Sequence, residues 1–195
     1  MNAVFATATH AARELAAGDL PRLQAFFEAN PGYFLAVSGA PPRPTEARDE
    51  FDEPPPAHLP HGRRWCLGFL DAADDLQGFA IVVRDLGAAG VWHIALYLWA
   101  TRLHGSGLAA GMHDALAQWA LAAGADWLRL GVVVGNGRAE RFWDKLGYRE
   151  VRRRHGVPAG CRVNSVRVLV RPLRGQPLAA YLELMPRDRP DSALP

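Results

Sequence analysis

Apolar positions recur along this chain with two periods, and their alternation predicts its elements. From Leu20, with Pro21 at a favoured early helical position, Leu23, Phe26 and Phe27 fall on one helical face until Asn30-Pro31-Gly32 breaks it, and Asp19 stands where an N-cap belongs. Tyr33 to Val37 continues as a second short helical piece. The strongest helix covers Leu108 to Ala123, with Leu108, Met112, Ala115, Leu116 and Trp119 on one face and Gly124 as its stop. A shorter one, Arg138 to Leu146, lines up Ala139, Phe142, Trp143 and Leu146 ahead of Gly147.

Strand patterns fill the intervals. Val4 to Thr9 reads as a short first strand. Trp65 to Leu70 and Gln77 to Arg84, joined by a polar turn at residues 71–75, read as an antiparallel hairpin, and Val91 to Trp99 follows a glycine-rich link. Trp127 to Val134, largely apolar and β-branched at its end, reads as a buried strand. Tyr148 to Arg154 and Val163 to Val170 add two more. The order predicts an α/β chain with a mixed sheet and helices on both faces. Residues 39–62 carry most of the prolines around a small helical segment, Thr45 to Phe51; this insert is either a binding loop or a plain surface connection. From Gly175 the chain turns rich in Pro, Asp and Arg and is expected to extend beyond the core.

Composition narrows the class. A length of 195 residues with 49% hydrophobic content suits one domain. No apolar run approaches the roughly 18–20 residues that cross a bilayer, and the segment from Met1 to Asp19 lacks a basic leader. Cys66 and Cys161 form no Cys-x-x-Cys pair and fit free thiols in a reducing cytosol. The expectation is a cytoplasmic protein with no membrane partner. A formal charge of +2, with Lys145 the single lysine, gives no support for a nucleic-acid partner. His58-x-x-His61 near Cys66 lacks a fourth ligand and sits among prolines, so no metal is expected. Arg152-Arg153-Arg154 is a basic run near the end of a strand, either a solvated edge or an anion site for an acidic substrate.

The most informative segment joins the third strand of the middle group to the strongest helix: Trp99-Ala-Thr-Arg-Leu-His-Gly-Ser-Gly-Leu108. Gly105 and Gly107 permit positive φ and close backbone approach. Helix-start N–H groups and the positive end of the helix dipole suit a pyrophosphate. A third glycine at the dinucleotide-fingerprint step is missing, and so is the Gly-Lys-Ser/Thr of a Walker loop.

Arg102-x-x-Gly105-x-Gly107 resembles the Gln/Arg-x-x-Gly-x-Gly/Ala signature of the GNAT acyltransferases, and Asn136-x-x-Ala139-x-x-Phe142-Trp143-x-x-Leu146-Gly147-Tyr148 resembles their second signature. The resemblance covers residues 64–172 well and the N-terminal third loosely. It implies a mostly antiparallel twisted sheet splayed at two parallel strands, within a domain of residues 1–173 followed by a tail, 174–195. It places an acetyl-CoA core at 91–148 and acceptor-side helices and loop at 19–62. It further implies acetyl-CoA as cosubstrate, its arm along Tyr97, Leu98 and Trp99. The pyrophosphate would lie on the amides of Leu103, His104, Gly105, Ser106, Gly107 and Leu108 behind Arg102, with Asn136, Ala139 and Trp143 facing the arm. Arg138 and Arg141 would approach the 3′-phosphate, unless they form a solvated helix face.

An alkylamine titrates near 10.4, so direct transfer calls for a base. Strand alternation puts His93 on the side of Ala95 and Tyr97, a placement that resembles the catalytic strand of arylalkylamine acetyltransferases; the other reading of His93 is a hydrogen-bonded sheet residue. Tyr97 would relay a proton or shape the pocket. Tyr33 and Phe34 would line the acceptor groove. Many family members carry a tyrosine acid where this chain has Trp143, whose indole only donates. The leading expectation is acetylation of a primary amine of a small molecule. A protein amine, a non-catalytic acyl-CoA-binding module, and a homodimer paired through the late strands and Leu178 to Met185 are the alternatives.

Overall fold

Long apolar strands of alternating orientation need a covering on each face, and the chain supplies both. The computed structural model describes residues 3–194. In chain order it forms β1 (Phe5–Ala6), β2 (Ala11–Glu14), α1 (Leu20–Ala29), α2 (Gly32–Val37), α3 (Glu46–Asp52), β3 (Arg64–Leu70), β4 (Leu76–Val83) and β5 (Val91–Trp99). Then follow α4 (Leu108–Ala122), β6 (Trp127–Val133), α5 (Gly137–Lys145), β7 (Arg149–Ala159), β8 (Arg162–Pro172) and α6 (Leu178–Leu184). The strands make one sheet in the order β1-β2-β3-β4-β5-β6-β8-β7, in which β5 and β6 run parallel and the other pairs antiparallel.

One face packs Trp65, Phe69, Trp92 and Ile94 under Met112 and Leu116 of α4 and Trp143 of α5. The other packs Phe79, Ile81, Leu96 and Leu98 under Leu23, Phe27 and Phe34 of α1 and α2, with Ala47 of α3. Burial of side chains this size stabilises by about 1.5–3 kcal/mol each relative to exposure, so the aromatic stack of Trp65, Trp92 and Trp119, centroids 5.0–5.1 Å apart, is a main anchor of α4.

Three expectations change. The first strand, expected over Val4 to Thr9, is only Phe5–Ala6, because the Thr7 hydroxyl accepts the His10 N–H at 3.1 Å and turns the chain back into the unexpected β2. Asp19 holds the N-cap position of α1 but makes no side-chain capping bond to it: its carboxylate accepts the Ala16 N–H at 2.9 Å, across a short turn at Ala17–Asp19. The segment after Gly175 does not run beyond the core. Tyr181 and Met185 are buried against Val91, Trp127 and Val170, and Asp188 is fully buried. Since Leu178–Leu184 is a helix seated on its own chain, it offers no strand to a second copy.

Asp188 holds this segment down. It accepts Nε of Arg129 at 2.7 Å and Nη2 at 3.0 Å, and the Tyr181 hydroxyl at 2.5 Å. Burial alone would raise its carboxyl, but the hydrogen bonds and charge of Arg129 outweigh that and hold it at about 2. A native value below the unfolded one means the stabilisation is complete above about pH 4 and is lost as pH falls towards 2, a difference worth about 2.5 kcal/mol. Asp188→Asn, which leaves Arg129 buried without its anion, is expected to cost about 3 kcal/mol in urea unfolding at pH 7. A cost under about 1 kcal/mol would mean the pair does not anchor the segment.

Candidate active site

The site begins with a mismatch between β4 and β5. Ile81 pairs with Leu96 and Val82 with Ile94, so Ala95 is an extra residue, a β-bulge. Pairing of β5 with β6 ends at the same place, Ile94 with Leu130, while β6 continues along β8 to Val133. From Ala95 to Trp99 the edge of β5 that faces β6 therefore has no strand partner, and the two strands splay.

Three adjoining cavities follow this opening. The first, about 340 Å³, is lined by Leu98, Trp99, His104, Gly105, Asn136 and Arg138 among others. The second, about 360 Å³, lies between the splayed strands and shares Tyr33, Tyr97, Asn136, Ala139 and Trp143 with the first. The third, about 270 Å³, shares His93, Ala95, Arg129 and Arg154 with the second and is also lined by Glu50 of α3 and residues 54–56. Such volumes suit small-molecule ligands.

At the mouth of the first cavity the chain turns through Gly105 and Gly107, both at φ +86°, a region closed to most side chains, and a Cβ on either would meet nothing within 4 Å. The N–H groups of Leu103, His104 and Ser106 bond to Ala100, Thr101 and Leu103 carbonyls, and that of Leu108 to the Ser106 hydroxyl. Those of Gly105, Gly107, Ala109 and Ala110 take no partner among the described residues, so the open amides are fewer than the loop's length implies and extend further into α4. Arg102 reaches back to Gln77 rather than over the loop. Arg138 meets Nδ1 of His104, whose Nε2 lies 3.1 Å from the Trp99 carbonyl, which fixes both at the cavity wall. Asn136 caps α5 by accepting the Ala139 N–H at 3.3 Å, a duty its signature position does not announce.

The family model for the acetyltransferase (GNAT) family matches residues 23–148. The chain belongs to that family. Among solved structures, an acetyltransferase from Thermus thermophilus is 20% identical with a TM-score of 0.66, covering 84% of this chain and 97% of its own. A spermidine N-acetyltransferase from Vibrio cholerae, solved with CoA and spermine, is 14% identical at TM-score 0.66, covering 86% and 98%. The ribosomal-protein-S18-alanine N-acetyltransferase from Escherichia coli is 14% identical at 0.58, covering 84% and 94%. A search of curated proteins returns no match. The chain is an N-acetyltransferase by family.

Within this GNAT enzyme the bulge corrects the expected placement of His93. Trp92 and Ile94 face α4 before Ala95, and Tyr97 and Trp99 face it afterwards. His93 consequently lies on the opposite face from Tyr97, towards α3. Its Nδ1 is 3.1 Å from the Arg129 carbonyl, and burial together with the Arg129 charge lowers it to about 3. Such a weak base takes no proton near neutrality. Tyr97 donates its hydroxyl to the Ala109 carbonyl at 2.7 Å, burial holds its pKa far above the usual value, and its ring packs on Phe142 and Trp143. It is a wall between the first two cavities. Tyr33 lines both of these, whereas Phe34 is 3% exposed in the core beside Phe27 and touches none of the cavities. His58 and His61 are exposed, Cys66 is buried, and among the described residues no three potential ligands gather.

Glu50 was not singled out by its sequence, for it sits in a polar stretch of a proline-rich insert. It lines the third cavity, and burial, then Glu53 and Glu46, raise its carboxyl to about 7. Arg64 fixes its backbone, donating to the carbonyls of Glu50 and Phe51. The cue in the sequence was the cluster Glu46, Glu50, Glu53, with Glu46 and Glu50 four apart on one helical face.

Proton NMR of the histidine rings checks the electrostatics. His93 is expected to stay neutral from pH 8 down to about 4; an inflection between 6 and 7 would contradict its burial beside Arg129.

Proposed function

We propose that this acetyltransferase takes its acetyl group from acetyl-CoA and delivers it to a primary amine of a small molecule. The carrying observation is the continuity of the open amides at Gly105 and Gly107 with the unpaired edge of β5 and, beyond it, the third cavity. The loop fits the cosubstrate: two open glycines, four N–H groups without partners and the N-terminus of a helix of 15 residues favour a pyrophosphate. Arg138 adds a cation there. Leu98, Trp99, Asn136, Ala139 and Trp143 would hold the pantetheine arm. The solved spermidine enzyme carrying CoA and spermine supports a small amine. The S18-alanine enzyme is the counterexample for a protein amine.

Acetyl-CoA supplies an activated thioester carbonyl. The chain's own part is to orient the amine, remove a proton from it and stabilise charge. Glu50, at about 7, is matched to taking a proton from an alkylammonium near neutrality. The N–H groups on the open edge of β5 are placed for a developing oxyanion. Trp143 and Tyr97 shape the channel without titrating, so the departing thiolate is protonated by water or by the new ammonium.

Calorimetry should show acetyl-CoA binding to the wild type and at least a hundredfold weaker binding to Gly105→Trp, since amide bonds to a charged group contribute about 1.5–3 kcal/mol each. Absence of binding by the wild type would overturn the proposal. With an accepted amine, kcat/KM is expected to fall below pH 7 as Glu50 takes up its proton. Glu50→Gln should remove that limb and lower the rate by about 10²–10⁴. His93→Gln should keep the limb, and its loss there would return the base to His93.

A further inference from the structure

The run Arg152-Arg153-Arg154 separates into three fates. Arg152 donates to the carbonyls of Arg187, Ser192 and Leu194 and ties down the last segment. Arg153 pairs with Glu150 at 3.1 and 3.2 Å on the outside. Arg154 alone of the three lines the cavities, the second and third together, beside Arg129.

Among the described residues, Arg154 shares its one carboxylate with Arg129. Its ion pair is with Asp188, at 3.4 Å, through an oxygen that already accepts Arg129 Nη2 at 3.0 Å. Its Nε is buried and has no partner. Among the described residues no carboxylate lines the second cavity. Across the third, Glu50 and Glu53 form no ion pair with Arg154, and Arg64 is taken up by main-chain carbonyls and the Cys66 sulfur. Burial and then the charges of Arg187 and Arg129 press the Arg154 guanidinium below its usual range, against the pull of Asp188. A planar guanidinium on a cavity wall, whose one carboxylate partner is shared with another arginine, is matched to a further carboxylate. A polyamine entering here would bring further positive charge against Arg129 and Arg154.

We infer that the acceptor is a zwitterion of the amino-acid type, its carboxylate received by Arg154 at the junction of the second and third cavities and its amine directed to Glu50 and the open edge of β5. This rests on the acetyl-transfer reading above and specifies its substrate class. Arg154 acts in specificity, and its fork separates acids from plain amines by charge rather than by size.

The test uses the common amino acids beside the amines that decarboxylation leaves, phenylalanine with phenethylamine and lysine with cadaverine among them, together with spermidine. Thiol release is followed with acetyl-CoA. The wild type should prefer the carboxylated member of its best pair by about tenfold or more in kcat/KM, the worth of one charge-assisted hydrogen bond. Arg154→Gln should bring that ratio near one, chiefly through KM, and Arg154→Lys should retain part of it. Because both members are measured on one preparation, loss of folded protein cancels from the ratio. Plain amines or spermidine accepted as well as the acids, or a ratio unchanged in Arg154→Gln, would overturn the inference while leaving acetyl transfer standing. Acetyl-CoA bound in calorimetry with neither class acetylated would overturn the small-molecule reading as well.

Discussion

At Ala95 β5 carries one residue more than β4 can pair, and much of the site depends on that residue. A bulge increases local twist and bends its strand. Here the bend coincides with the last bond between β5 and β6, so the parallel pair opens while each strand stays held on its other side, β5 by β4 and β6 by β8. An opening of this kind leaves backbone donors and acceptors exposed inside a domain, which is costly unless something polar uses them. The same extra residue reverses the alternation of side chains. Before it, even-numbered residues face α4; after it, odd-numbered ones do, and this puts Tyr97 in the wall of the first two cavities and His93 in that of the second and third.

The opening has to be braced from both sides, and the braces are unlike. On the α4 side the brace is apolar: Trp143 packs against Tyr97, His113 and Tyr148 with centroids 5.2–5.5 Å apart. On the other it is ionic, the buried pair of Arg129 in β6 with Asp188. An apolar wall tolerates a long flexible ligand sliding past it, whereas a charged wall selects. The polar brace also explains why the last twenty or so residues fold back on the sheet: without Asp188, Arg129 would stand uncompensated in the interior.

Much of this was legible in the sequence. Helical and strand periods located α1, α2, α3, α4 and α5 and the central strands to within a few residues, because burial imposes those periods. The glycine loop and the second signature pointed to Gly105 and to Asn136, Ala139 and Trp143, all of which line one cavity. What was not legible came from contacts distant in sequence. A bulge depends on how β4 and β5 pair, so alternation misplaced His93. Asp188 looks like any acid in a polar tail until Arg129, 59 residues away, is seen beside it. Phe34 was assigned to the groove because it neighbours Tyr33, yet successive helical residues face different ways. Glu50 was hidden by an insert whose proline content says little about which way α3 turns.

Two carboxylates, Asp188 and Glu50, make the same argument from opposite ends. Asp188 and Glu50 are both partly or wholly withdrawn from water, and burial pushes each upward. Asp188 has two hydrogen bonds from one guanidinium and falls to about 2, which fixes it as a permanent anion and a structural one. Burial, then the charges of Glu53 and Glu46, outweigh Arg64 and Arg43 and raise Glu50 to about 7, which leaves its proton exchangeable near neutrality. Had Arg154 paired with Glu50, the cavity would hold a neutral, inert couple. Its approach to Asp188 instead leaves a titratable carboxyl on one wall and a guanidinium on the other, and an acceptor that carries both an ammonium and a carboxylate answers both at once.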